Sequence, residues 1–354
     1  MSIVSAPRLS DSLVLALSAT LALTLSGPAA AAPETEVNLY SARKEELIKP
    51  LLDRFTEQTG IRVNLLTGKA EALLQRLKSE GRNSPADLLI TVDAGNLHQA
   101  KSAGVTQPID VETVNAAVPA NYRDPDGHWV ALSVRARPIL YARDRVDSGQ
   151  LSTYEDLTDP RWKGRICVRS SDNVYNQSMV ASLIAADGIE AAETWAKGLV
   201  ANLARPPQGG DRDQIKAAAV GECDLALANT YYLAGMLDSD DPAERDPARA
   251  LAVFWPNQPG QGDGRGVHVN VSGVALTASA RNREAALKLV EFLLTPESQA
   301  WYGQVNGEYP VREGIDISPT LVGFGPFEAD DLNLGRLGEL NAEAVRVMDR
   351  AGWK

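Results

Sequence analysis

Val37-Asn38-Leu39-Tyr40-Ser41-Ala42-Arg43 begins with a short apolar strand, and the residues after it set the architecture. Leu47, Ile48, Leu51, Leu52 and Phe55 recur at helical spacing until Thr59-Gly60 ends the run. Such repetition lines one face of a helix, and glycine is the usual residue just past a helix end. Residues 61–66 read as the next strand, 70–78 as a helix with Leu73, Leu74 and Leu77 inward, and 87–92 as a buried strand. Strands alternating with helices predict a largely parallel sheet covered on both faces.

The pattern resumes further along the chain. Residues 127–142 look extended and break only at Pro138, so this segment is expected to cross from a first lobe into a second. Beyond it, 164–169 and 224–228 read as strands and 176–186 and 190–201 as helices. Gln208-Gly209-Gly210-Asp211 reads as a turn and helix cap, and the acidic stretch 238–246 as a solvated loop. Residues 267–276 read as a returning strand, 284–294 as a helix, Pro296 as the start of another, and 335–351 as a last helix. Two lobes joined by crossing strands leave a cleft suited to a small ligand.

The chain has 354 residues, 44% of them hydrophobic, and a formal net charge of -11. That length predicts two domains of about 100–200 residues each, and the acidic balance argues against nucleic acid as a partner. Residues 1–32 read as a secretory signal peptide, with an apolar run over 13–25, then Ser26-Gly27-Pro28 and alanines up to a cleavage point after Ala30 or Ala32. The apolar run is shorter than the about 20 residues that span a bilayer. Cys167 and Cys223 each sit at an apolar run, and in an exported chain they invite a disulfide, the alternative being two buried thiols. Pairing would contribute about 4 kcal/mol at most in the chain-entropy model.

Three tyrosines carry the chemistry: Tyr231 and Tyr232 in Asn229-Thr230-Tyr231-Tyr232, and Tyr175 in Val174-Tyr175-Asn176. A phenol in water ionises only near about pH 10, so clustered phenols become anions at neutral pH only beside strong positive charge. Iron(III) supplies such a charge, and tyrosine is an established iron ligand. With 3 His and 2 Cys in the whole chain, softer donor sets are scarce. Asn229 or Thr230 is placed to cap the helix suggested by 233–237, with Tyr231 and Tyr232 in its first turn. Neighbours there diverge by about 100°, so both reach one ion only off the helix end; alone, the pair reads equally as packing at a lobe edge.

Tyr175 is expected between the strand ending at Arg169 and the next helix, a junction where free amides hold anions. Arg135 and Arg137, two apart in extended chain, share a face, and Arg43 follows the first strand. They balance phenolate charge, clamp an anion such as carbonate, or form surface salt bridges. His98, His128 and His268 lack metal spacing, no serine nucleophile elbow is present, and Gly262-Asp263-Gly264-Arg265-Gly266 lacks the Lys-Ser/Thr of a phosphate loop. These residues ask for no catalysis.

Leu39-Tyr40-Ser41-Ala42-Arg43, Ser133-Val134-Arg135-Ala136-Arg137, Tyr175-Asn176, Gly209-Gly210-Asp211-Arg212-Asp213-Gln214, Asn229-Thr230-Tyr231-Tyr232 and Asn306-Gly307-Glu308-Tyr309-Pro310-Val311 stand together from about residue 37 onward. On them the chain resembles periplasmic ferric-ion-binding proteins, the substrate-binding components of iron(III) ABC transporters. The resemblance implies an α/β type II periplasmic-binding-protein fold, two lobes joined by crossing hinge strands around a central cleft. Residues 36–133 plus about 267–310 then form the first lobe, and about 137–266 plus 311–354 the second. It also implies Fe(III) as cargo, Tyr175, Tyr231 and Tyr232 as ligands, an inner-membrane ABC permease as partner, a periplasmic location and a monomer.

One departure bears on the ligand set. Relatives place His, or His followed by Tyr, just after the segment matching Arg43, where this chain has Lys44-Glu45. Carbonate, another synergistic anion or water held by Arg43 and Arg135 then completes the shell, or Glu45 coordinates directly; the exogenous anion is the favoured expectation. The competing readings are a carrier of another small ligand on the same fold, such as an anion, thiamine or a polyamine, and an exported hydrolase.

Overall fold

The computed structural model describes residues 35–354, so the signal-peptide reading of 1–32 falls outside the described residues. Glu36–Ser41 (β1) pairs in parallel with Arg62–Thr67 (β2) and Leu88–Thr91 (β3). Between β1 and β2, the helix Glu45–Thr59 buries Ile48, Leu51, Leu52 and Phe55. It stops at Gly60, whose φ of 74° is open to glycine and whose N–H closes on the Thr56 carbonyl. Thr106–Gln107 (β4), Trp129–Ala136 (β5), Ile139–Ala142 (β6), Ile166–Cys167 (β7), Leu225–Leu227 (β8), Leu251–Phe254 (β9), Val269–Thr277 (β10) and Tyr309–Pro310 (β11) follow.

The strands form two sheets, one per lobe. The first runs β11-β5-β10-β3-β1-β2 with β4 also on β10, and the second runs β7-β8-β6-β9. The expected largely parallel sheet is thereby corrected: β10 is antiparallel to β3, β4 and β5, and β6 is antiparallel to β8 and β9. A parallel neighbour needs a crossover on the same sheet, whereas β10 returns from the second lobe along the path β5 took out, and so runs against it. Every residue of β5 and β10 is buried, which makes them the rigid spine of the first lobe.

The chain leaves the first lobe at Arg137-Pro138, between β5 and β6, and comes back between β9 and β10. The two passages are tied together. The Arg137 N–H donates to the His268 carbonyl at 3.0 Å. The Tyr154 hydroxyl donates to the Arg137 carbonyl at 2.8 Å and accepts from the His268 N–H at 3.2 Å. Burial, joined by the positive charge of Arg137 and Arg135, holds the His268 imidazole down at about 3, so it stays neutral there.

Other local readings shift at their edges. The stretch 238–246 is no plain loop: Pro242–Arg249 is a helix, with Pro242 in its first turn and the Asp241 carboxylate accepting from the Ala243 N–H at 2.9 Å. Aspartate followed by proline is a helix-start signal, and it outweighs the acidity of the stretch. The strand expected at 164–169 narrows to β7, and the last helix splits into Gly335–Glu339 and Asn341–Ala351. Asn341–Ala351 packs on the second-lobe helices Val174–Asp187 and Ile189–Ala201. Cys167 and Cys223 are buried and joined, with Sγ–Sγ at 2.08 Å, linking β7 to the residues that lead into β8. Among the described residues no helix is long and apolar enough to cross a membrane.

Candidate functional site

Two second-lobe helices that border the cleft present tyrosine in their first turn. Val174–Asp187 starts two residues earlier than the sequence suggests, because the Asn173 side chain accepts from the Tyr175 N–H at 3.1 Å; Tyr175 is therefore helical rather than in the preceding loop. Thr230–Leu237 follows β8 directly, with Asn229 at the capping position. Asn229 thus occupies the expected position, but its side chain makes no capping hydrogen bond. The Asn229 amide oxygen accepts from Arg137 Nη1 at 3.0 Å instead, its backbone N–H donates to Asp211 Oδ2 at 2.8 Å, and its Nδ2 lies 3.5 Å from the Tyr231 hydroxyl.

The three tyrosines lie together. The Tyr231 hydroxyl donates to the Tyr175 hydroxyl at 3.2 Å, and the Tyr231 and Tyr232 rings lie 4.3 Å apart between centroids. They line a cleft of about 400 Å³, facing Arg43, Arg135, Asn306 and Glu308 of the first lobe. Arg212, from the second-lobe helix Asp211–Ala219, adds a further cation to the wall.

Arginines surround the phenols, each held by a carboxylate. Arg43 Nη1 donates to Glu308 Oε2 at 2.9 Å with both side chains buried, and the Ser133 hydroxyl donates to the same oxygen at 2.5 Å. Although burial works against the charge, Glu308 keeps the Arg43 guanidinium firmly protonated. Arg135 donates to the Ser272 hydroxyl at 3.2 Å, and its guanidinium carbon stands 5.4 Å from the Tyr175 ring centroid. Arg169 stands 5.7 Å from the same centroid and reaches Asp211 Oδ1 at 3.3 Å. Arg43 and Arg135 each keep a buried Nε and Nη2 without a hydrogen-bond partner. Arg135 Nη2 faces the Asp93 carboxylate at 3.9 Å, and the remaining N–H groups are donors of the kind that clamp an anion.

Arg137 does not join them. The chain turns into the second lobe at this residue, so its guanidinium goes behind the tyrosines, to Asp211 at 3.0 Å, Asn229 at 3.0 Å and Asn176 at 2.8 Å. Glu45 is exposed in the first turn of its helix, and the cleft wall is built by its neighbours Lys44 and Glu46 instead. Sequence reasoning gave no role to Glu308, Asp211 or Asn176. Glu308 and Asp211 stood inside segments already singled out, but their partners lie 265 and 74 residues away.

Burial governs the protonation of the phenols. It pushes Tyr175 up to about 12, with Arg135 opposing the rise and Tyr232 adding to it. Burial likewise raises Tyr231 well above the ordinary tyrosine value, reinforced by Tyr175 and Tyr232. A neighbouring cation of high charge reverses this preference by stabilising the phenolate. Among the described residues no group of three or more His, Cys, Asp and Glu side chains is arranged to hold a metal. The cleft therefore brings together two phenol oxygens in contact and a third tyrosine, donors that suit a hard cation, with arginines on the first-lobe side of the lining.

Comparison with known proteins agrees with this chemistry. The family of bacterial extracellular solute-binding proteins matches residues 83–320. Iron uptake protein A1 of Synechocystis sp. is 50% identical over 321 residues, covering 91% of this chain and 88% of that protein. Among solved structures, the Trichodesmium IdiA/FutA protein in complex with iron and citrate ligands superposes with a TM-score of 0.87 at 48% identity, over 90% of this chain and 100% of that one. The ferric binding protein from Campylobacter jejuni gives a TM-score of 0.84 at 39% identity, over 90% and 100%.

Proposed function

Since the chain belongs to the bacterial extracellular solute-binding proteins, and among them to the periplasmic ferric-iron-binding type with a two-lobed type II fold, we propose that Tyr175, Tyr231 and Tyr232 are the residues that capture its iron(III). The protein is a carrier, not an enzyme. One observation carries the assignment: the Tyr231 and Tyr175 hydroxyls stand 3.2 Å apart in a cleft whose other wall is cationic. Three phenolates neutralise a trivalent ion, and the N-termini of both helices favour the phenolate form. The second lobe takes the metal first, and the first lobe then closes over it with Arg43 and Arg135.

An exogenous anion completes the shell in this reading, held by the unpartnered N–H groups of Arg43 and Arg135. Glu45 is not needed. Arg137 acts from behind, fixing Asn229 and Asn176 and so the two helix starts that aim the tyrosines. We place the lobes at residues 36–133 with about 267–310, and at about 137–266 with 311–354, a reading supported by the division of the strands into one sheet of β1–β5, β10 and β11 and another of β6–β9. The loaded monomer delivers iron to an inner-membrane ABC permease after its signal peptide has been removed.

Titration of the iron-free protein with ferric citrate tests the proposal. A visible phenolate-to-iron charge-transfer band is expected to grow to one equivalent and to be lost when all three tyrosines are replaced by phenylalanine. A band that survives the triple replacement would remove these residues from the ligand set.

A further inference from the structure

Asp93 is a fully buried carboxylate between the lobes with no role in the site so far described. It precedes the first-lobe helix Ala94–Ser102, and its Oδ1 accepts from the Gly95 N–H at 2.8 Å. The same oxygen accepts from the Ser178 hydroxyl at 2.8 Å, and Ser178 belongs to the second-lobe helix that begins beside Tyr175. Its Oδ2 accepts from Asn270 Nδ2 at 2.9 Å and lies 3.9 Å from Arg135 Nη2. Asn270 and Arg135 are paired across β10 and β5, so one carboxylate touches both spine strands and the opposite lobe.

We propose that Asp93 is a positioning residue that couples lobe closure to the placement of Arg135 beside Tyr175. Ser178 reaches Asp93 only when the two helices are brought together, and the oxygen that faces away from Ser178 is the one that faces Arg135. Closing the cleft and seating the cation over the Tyr175 ring are then one event. A hydrogen bond to a carboxylate is stronger than one between neutral groups, which makes this contact a latch rather than an incidental touch. The inference rests on the reading of the cleft as the iron site for its metal-dependent consequences, but the latch itself does not.

Two variants separate the parts. Ser178→Ala removes the interlobe bond and leaves the Asp93–Arg135 pair; Asp93→Asn keeps an acceptor for Ser178 and removes the charge facing Arg135. Ser178→Ala is expected to release iron to a competing chelator about ten-fold faster with the charge-transfer band at its wild-type wavelength, and Ser178→Thr is expected to restore the wild-type rate. Asp93→Asn is expected to shift the wavelength of that band, because the cation over the Tyr175 ring is no longer anchored. Small-angle scattering of the iron-free proteins, which needs no metal, is expected to give Ser178→Ala a larger radius of gyration than the wild type. An unchanged radius together with an unchanged release rate would overturn the latch, and an Asp93→Asn band at the wild-type wavelength would overturn the positioning role. Failure of the wild type to form any band would instead strike the iron assignment, leaving the scattering comparison to decide the latch.

Discussion

The hydroxyl of Tyr231 donates to the hydroxyl of Tyr175 at 3.2 Å, although 56 residues of chain separate them. Each sits in the first turn of its own helix, one following β7 and the other β8, and those two strands run parallel. Burial leaves neither phenol able to shed its proton cheaply, and a cation placed between them would reverse that preference.

Replacing any one tyrosine with phenylalanine keeps the ring packing and removes one oxygen. Loss of an outer-shell partner costs about 10- to 100-fold in metal affinity, and Tyr175→Phe, Tyr231→Phe and Tyr232→Phe are each expected to exceed that in competition with a chelator. Circular dichroism of the iron-free variants should match the parent.

Iron affinity is expected to fall as the medium is acidified. Tyr175, pushed up by burial to about 12, and Tyr231, raised by burial well above its ordinary value, enter binding as protonated phenols and must release their protons to ligate the metal. Each proton released lowers the apparent affinity about ten-fold per unit fall in pH. Chelator competition across a pH series around neutrality gives the slope, and a slope of zero would rule out phenol ligation.

Alkali should destabilise the iron-free fold. Tyr175 ionises near about 10 when unfolded but only near about 12 when folded, so above the lower value the unfolded chain has lost a proton that the folded one keeps. The stability linked to this phenol is fully present below about pH 10 and is lost as pH rises through the folded value. Urea melts are expected to hold their midpoint up to the lower limit and fall beyond it, less steeply in Tyr175→Phe.

Glu308→Ala leaves the Arg43 guanidinium, 1% exposed in its side chain, without its carboxylate. Removing one member of a buried ion pair costs about 3–5 kcal/mol, which urea denaturation should register. Replacing Arg43 with methionine in the same chain is expected to recover most of the loss, since the uncompensated charge is then gone.

Gly307 brings the first lobe against the helix that carries Tyr231. Its φ is +65°, and a Cβ there would lie 3.3 Å from the Ala234 Cβ and 3.7 Å from the Tyr231 Cα. Gly307→Ala is expected to lose about 1–2 kcal/mol from the left-handed backbone and to release iron faster, because the added methyl holds the lobes apart. Stopped-flow transfer to a chelator measures the second effect independently of stability.

Local pattern was enough for much of this molecule. The strand at β1, the helix that ends on Gly60, the break at Pro138 and the placement of Tyr231 and Tyr232 in a first turn are all properties of residues within about one or two helical turns of each other, and nearest-neighbour periodicity reports them. The three tyrosines, Arg43 and Arg135 were also legible as candidates, because phenol and guanidinium chemistry is carried by residue type. Tertiary structure alone decided which of these groups meet. It sent Arg137 behind the tyrosines while Arg135, two residues earlier, stayed in the cleft, since the chain changes lobes between them. It set β10 against β5 and so made the sheet mixed, and it gave Arg43 and Arg135 their buried carboxylates in Glu308 and Asp93. Those pairings close long loops, 265 residues in the case of Arg43 and Glu308, and no local repeat in the chain encodes the distance between residues that come together only when the sheet has assembled.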